Sequence, residues 1–127
     1  TGNHGTFPVI IGIDGQDCVG PRREWDRDII GEFAEGPRGF KGEGLVKLCH
    51  SMDMTFMNTL THDPLGAFTC HFDLKSEPKQ IDYILLPDVW RSSAECGILE
   101  SIATTSDHRP LIMTLRILNE KEHDEIT

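Results

Sequence analysis

At 127 residues, of which 38% are hydrophobic, the chain is one domain or part of one. No run approaches the roughly 18 apolar residues that a membrane-spanning helix requires, and no signal-peptide pattern opens the chain. Acidic side chains outnumber basic ones 21 to 12, for a net charge of -9. That balance disfavours a broad basic face gripping duplex phosphates, but not an enzyme that meets phosphate through a metal ion.

The chain begins Thr1-Gly2-Asn3 rather than with methionine and reaches an apolar run by Pro8. It reads as a fragment, and alone it is expected to be inactive and either poorly soluble or marginally stable. Pro8 to Ile13 is β-branched and apolar, the pattern of a strand buried on both faces. It ends in the polar turn Asp14-Gly15-Gln16-Asp17. From Gly20 to Gly44 no period is visible, which predicts a long loop with a turn of helix near Trp25 to Ile30.

Leu45, Val46, Leu48, Cys49 and Met52 fall at the spacing of one apolar helical face, which predicts a helix over about Gly44 to Met52. Strands are expected at Met54 to Leu60, Ala67 to Phe72, Gln80 to Leu86 (stopped by Pro87) and Gly97 to Thr104. Thr61 to Gly66 is turn chemistry between the first two of these. Leu111 to Leu118 alternates most cleanly, with Leu111, Met113, Leu115 and Ile117 on one face. Glu120 to Glu125 reads as a solvated acidic tail.

The four cysteines, Cys18, Cys49, Cys70 and Cys96, are scattered without a CxxC. Neither zinc ligation nor a disulfide framework is expected of them, and a reducing intracellular compartment is. Cys49 and Cys70 read as small core residues. Trp25 and Trp90 read as packing residues, and Arg22 and Arg23 as part of a solvated loop.

Three places offer chemistry. Asp14 ends an apolar strand, Asp82 lies inside the strand Gln80-Ile81-Asp82-Tyr83-Ile84-Leu85, and Ser106-Asp107-His108 precedes the last strand. Singly, each has a bland reading: a turn cap for Asp14, a structural ion pair with an arginine for Asp82, a polar turn for Asp107-His108. A buried carboxylate must find a partner, however, so Asp82 demands one. Three carboxylates and an imidazole, each at or within a strand, suggest metal-assisted hydrolysis.

The ordered set resembles the C-terminal half of the endonuclease/exonuclease/phosphatase superfamily: an Asp-x-amide turn after a strand, Gln80-Ile81-Asp82-Tyr83-Ile84-Leu85, then Ser106-Asp107-His108-Arg109-Pro110-Leu111. Gly42 to Cys49, Met57-Asn58-Thr59 and Phe68-Thr69 further resemble non-LTR retrotransposon endonucleases and the craniofacial-development-protein-2-like proteins. The similarity runs from about Val9 to Leu118. It implies an α/β (α+β) fold, the C-terminal half of a four-layer sandwich with two facing mixed sheets. Residues 1–119 would form a partial domain lacking its N-terminal half, with residues 120–127 as the tail.

The resemblance also implies divalent-metal-dependent phosphodiester hydrolysis, with Mg²⁺ or Mn²⁺ as the ion and DNA rather than RNA as the substrate. A fused or co-encoded reverse transcriptase is an implied partner, a membrane is not, and the compartment is nuclear or cytoplasmic. Asp14 would orient or deprotonate the attacking water, Asp107 would associate with the metal, His108 would contact the scissile phosphate, and Asp82 would pair with His108. Gln16 stands where the family carries a phosphate-binding asparagine, one methylene further out, and Cys70 where relatives carry tryptophan. The family's principal metal-binding glutamate belongs to the N-terminal half. A catalytically decayed relative serving as a binding or structural module, and a phosphatase of the same superfamily, are the alternatives.

Overall fold

The computed structural model describes residues 9–71, 77–99 and 107–117. Five strands and one helix are defined among them: β1 (Ile11–Asp14), α1 (Phe40–Met52), β2 (Met54–Phe56), β3 (Asp82–Pro87), β4 (Ala94–Ile98) and β5 (Leu111–Leu115). Three 3₁₀ segments lie at Glu24–Ile29, Met57–Thr59 and Asp88–Ser93. β3 is the centre of a three-stranded sheet in the order β1-β3-β2, and β4 pairs with β5 in a second sheet. The class is therefore α+β.

Every ladder between these strands is antiparallel. The mixed sheets implied by the resemblance are not seen in the described strands, whose parallel pairing is confined to isolated bridges such as Ile30 with Phe56.

Alternation builds the core. Tyr83 and Leu85 turn inward from β3, Ile11 and Ile13 pack on the same side from β1, and Val46 and Cys49 of α1 cover them. Phe56 and Tyr83 meet edge to face with ring centroids 5.2 Å apart, an orientation that aligns one ring's positive rim with the other's negative face. Because side chains alternate across a strand, Asp14 and Asp82 are delivered to the face opposite Ile13 and Tyr83.

Several elements differ from the sequence pattern. α1 begins at Phe40, not near Gly44, because Asp17 accepts the Gly42 N–H at 2.8 Å and so satisfies an open donor of the first turn. Gly42 itself lies against the chain, where a Cβ would overlap the Cys18 carbonyl oxygen. On the helix, Val46 and Cys49 are buried, but Leu48 and Met52 are exposed and do not share their face. The strand after Asp53 stops at Phe56: the Thr59 hydroxyl bonds the Phe56 carbonyl at 2.6 Å and draws the chain into a 3₁₀ turn.

Ala67 to His71 carries bridges at Cys70 rather than a strand, and Phe72 lies outside the described residues. β4 starts at Ala94, earlier than Gly97; residues 100–106 and Leu118 also lie outside the described residues. β1 is not buried on both faces, since Gly12 and Asp14 are exposed. Trp25 is 65% exposed, so it is not the packing residue its type suggests. Cys49 and Cys70 are buried, as small apolar residues in these patterns should be.

The aperiodic stretch from Gly20 is folded inward, not an open loop. It contributes Ile29, Ile30 and Ala34 to the core. What makes this possible is an ion pair with side chains 1% and 0% exposed, Arg38 Nη2 to Asp26 Oδ2 at 2.6 Å. No helix among the described residues is long and apolar enough to cross a membrane.

Asp53 caps the C-terminal end of α1 in the left-handed region, at φ 52° and ψ 45°. A side chain with a Cβ pays for that conformation, and a negative charge opposes the helix dipole. Asp53→Gly is therefore expected to stabilise the protein by about 1 kcal/mol, read as a higher urea midpoint; a lower midpoint would contradict the strain argument.

Candidate active site

Two independent pairings bring the distant residues together. The β1–β3 register sets Asp14 opposite Asp82. The segment after residue 106 is tied to the same place by a bridge between Cys70 and His108, while Cys70 also pairs with Lys79 just before β3. His108 Nδ1 consequently lies 2.8 Å from Asp82 Oδ2, and His108 Nε2 lies 3.7 Å from Asp14 Oδ2. A structural ion pair between Asp82 and an arginine is thus not what this strand carries; its partner is His108.

The chemistry of the pair follows from its donors and acceptors. An ionised carboxylate only accepts hydrogen bonds, so the proton between Asp82 and the ring belongs to Nδ1. Nε2 is left to face Asp14 at 3.7 Å and the Cys70 sulfur at 3.9 Å. The hydrogen bond with Asp82 raises the His108 pKa above its ordinary value; partial burial pulls it down, and the charges of Asp82, Asp14 and Asp107 add to the rise. The ring therefore stays cationic to higher pH than a solvated imidazole. Burial pushes the Cys70 thiol up, with Asp82, Asp107 and Asp14 adding to it, so Cys70 is a neutral thiol rather than a nucleophile.

Gln16 occupies the left-handed region at φ 56°. Its N–H donates to Asp14 Oδ1 at 3.0 Å, which orients the carboxylate, and its side-chain Oε1 accepts from Lys41 Nζ at 2.9 Å. Asp107 is exposed beside His108, and its carbonyl accepts the His71 N–H at 2.9 Å. Its carboxylate does not join the tight group formed by Asp14, Asp82 and His108.

Three positioning residues escape a reading of the sequence for chemistry. Thr69 is fully buried, and its hydroxyl accepts from both Ile81 N–H and Asp82 N–H at 3.1 and 2.9 Å. Its carbonyl accepts the Arg109 N–H at 2.7 Å, so one residue fixes both halves of the Asp82–His108 pair. Asn58 bonds the backbone on either side of Tyr83, donating to the Asp82 carbonyl at 3.0 Å and accepting from Ile84 N–H at 3.1 Å. Arg109 donates to the carbonyls of Phe68 and Leu65 and stacks over the Phe68 ring at 3.9 Å. Two neighbouring signals, Phe68-Thr69 and the arginine after His108, are visible in the sequence, but their roles depend on contacts across the fold.

Thr69→Val keeps the shape and removes the acceptor. Two backbone N–H groups would lose their partner, and leaving a buried donor unsatisfied costs about 1–3 kcal/mol. A urea midpoint unchanged from wild type would show that the hydroxyl holds nothing together.

Ligand atoms of Asp14, Asp82 and His108 lie within 4.8 Å of one another; a cationic His108 has no lone pair to give, so a divalent cation here would be held by the Asp14 and Asp82 carboxylates. Two carboxylates leave most of an octahedral shell to water and phosphate, which is how Mg²⁺ is ordinarily bound. The donor set therefore fits a hydrated hard cation rather than a closed protein cage. No family model matches the chain, and neither a curated protein nor a solved structure matches it significantly.

Proposed function

We propose that this chain carries part of the active site of a divalent-metal-dependent phosphodiesterase, an endonuclease acting on DNA, on the C-terminal half of a four-layer α/β sandwich. The observation that carries the reading is the meeting of Asp14 and the Asp82–His108 pair, residues remote in sequence, at one end of the β1–β3 ladder. The motif resemblance selects phosphodiester hydrolysis from the chemistries such a cluster allows.

In this reading Asp82 holds the ring by Nδ1 and favours its charged form, and the Nε2 proton is presented to a phosphate oxygen. Charge gathers on those oxygens as the phosphate becomes five-coordinate, so a fixed cationic donor lowers the barrier. Asp14, whose carboxylate is steadied by the Gln16 N–H, orients the water and takes its proton. The Gln16 amide contacts the phosphate, and Asp107 associates with the metal. When bound, Mg²⁺ or Mn²⁺ supplies Lewis acidity toward the phosphate. No covalent intermediate is needed.

Mg²⁺-dependent nicking of a supercoiled plasmid by the full-length protein, compared with His108→Ala, tests this directly. Equal nicking by both would remove His108 from the mechanism. A second reading, a relative that binds without cutting, draws on the position of Asp107 outside the tight group; DNA binding without Mg²⁺-dependent nicking would select it.

A further inference from the structure

Lys41 sits in the first turn of α1, well away in sequence from the turn that carries Gln16, yet the two side chains are bonded at 2.9 Å. An ammonium group donates three hydrogen bonds and accepts none. The amide atom facing Lys41 must therefore be the oxygen, and the orientation of the amide is settled by chemistry rather than by choice. The Nε2 group then takes the other direction.

Gln16 lines a cavity of about 570 Å³ together with Asp14, Gln80 and His108, and Lys41 is not part of that lining. With the oxygen engaged by Lys41, the amide N–H groups are what the Gln16 side chain has left to offer a molecule in the cavity it lines. Among the described residues these N–H groups have no partner. The backbone at position 16 lies in the left-handed region at φ 56°, held by the turn that its N–H closes on Asp14 Oδ1.

We infer that Lys41 is a positioning residue: it locks the Gln16 amide with its donors toward the cavity, ready for a phosphoryl oxygen of the substrate. The inference rests on the phosphodiesterase reading for the identity of that substrate. A glutamine reaches one methylene further than the asparagine of the resembling motif, and Lys41 holds the longer side chain in a single orientation. Replacing Lys41 by glutamate reverses the lock. A carboxylate accepts from the amide N–H groups, draws them to itself, and presents Oε1 to the phosphate, where lone pairs meet lone pairs.

Two measurements on the protein separate this inference from the nuclease reading. In the first, inorganic phosphate is titrated into ¹⁵N-labelled wild type, Lys41→Glu, Lys41→Arg and Lys47→Glu while the Gln16 side-chain amide is followed by NMR. Lys47 is exposed on the same helix and controls for the change of charge. The Gln16 amide is expected to shift in wild type, Lys41→Arg and Lys47→Glu, and to stay unmoved in Lys41→Glu. In the second, nicking is expected to fall about 10-fold more in Lys41→Glu than in Lys47→Glu, on the scale of one lost hydrogen bond to a charged group, and the difference to vanish on a Gln16→Leu background. A Gln16 amide that ignores phosphate in wild type, or that responds equally in Lys41→Glu, overturns the inference whether or not the protein cuts DNA. A normal phosphate response with no nicking by any form overturns the nuclease reading and leaves the lock standing.

Discussion

Arg38→Met is expected to destabilise the protein by about 3–5 kcal/mol, the cost of leaving one member of a buried ion pair alone. Arg38 meets Asp26 through both terminal nitrogens, at 2.6 and 3.2 Å, and its Nε also bonds the Val19 carbonyl. The Arg23 N–H adds a further bond to Asp26 at 2.6 Å. Removing the guanidinium strands a carboxylate in a place that water does not reach. Against a total stability of about 5–15 kcal/mol for a domain, that loss takes a large share of the margin.

The sign of the pH dependence distinguishes this account from simple loss of packing. Burial alone would raise the Asp26 pKa, but the hydrogen bond and charge of Arg38, with the Arg23 backbone bond, outweigh it and hold the carboxyl below its usual range. A group with a depressed folded pKa stabilises above its unfolded value, about 3.9, and that contribution disappears as pH falls through the folded one. Wild type should therefore lose stability in acid. In Arg38→Met the uncompensated carboxyl reverses the sign, so the deficit relative to wild type should shrink as pH falls toward 4. Urea unfolding at neutral and acidic pH reads both effects. A deficit that is the same at the two pH values would point to lost packing alone. Asp26→Leu combined with Arg38→Met should recover much of the stability, because no charge is then left buried.

His108→Ala is expected to reduce Mg²⁺-dependent nicking on the order of 10²–10⁴-fold, the range of a positioned proton donor. Asp82→Asn is the more informative partner experiment, since it leaves the ring in place and changes its charge. With the Asp82 hydrogen bond and charge raising the His108 pKa, the cationic form persists into higher pH, and activity should fall as pH rises through that value. Without the carboxylate the pKa drops, so the alkaline fall should move to lower pH. Identical pH profiles for wild type and Asp82→Asn would show that the pair does not govern the reaction. The same shift has a stability consequence: a histidine whose folded pKa is raised stabilises fully below its unfolded value, about 6.5, and loses that contribution as pH rises through the folded value.

Much of the local structure was legible because it is written in short-range periodicity. The alternation of Leu111, Met113 and Leu115 marked β5, and the spacing of Val46 and Cys49 marked α1, since both patterns are set by neighbours a few residues away. Asp82 stood out for a related reason, a carboxylate in an apolar strand that has to be answered somewhere. Periodicity and composition did not give its answer; only the motif resemblance pointed to His108, and the structure places the two 2.8 Å apart. That His108 supplies it depends on the β1–β3 register and on the bridge at Cys70, which join segments separated by dozens of residues.

The stretch from Gly20 to Gly44 was legible only in its turn of helix near Trp25 to Ile30, which is the 3₁₀ segment Glu24–Ile29; its burial was hidden for the complementary reason. Its charges look like a solvated loop until Arg38 closes on Asp26, after which Ile29, Ile30 and Ala34 can be buried beside them. Thr69, Asn58 and Lys41 likewise look ordinary in the chain and acquire roles only through what they reach. What the sequence alone determined is which residues are candidates for chemistry and which short segments are regular. Which carboxylate meets which cation was decided by tertiary structure, because hydrogen bonds and ion pairs depend on distances of a few ångströms that order along the chain does not encode.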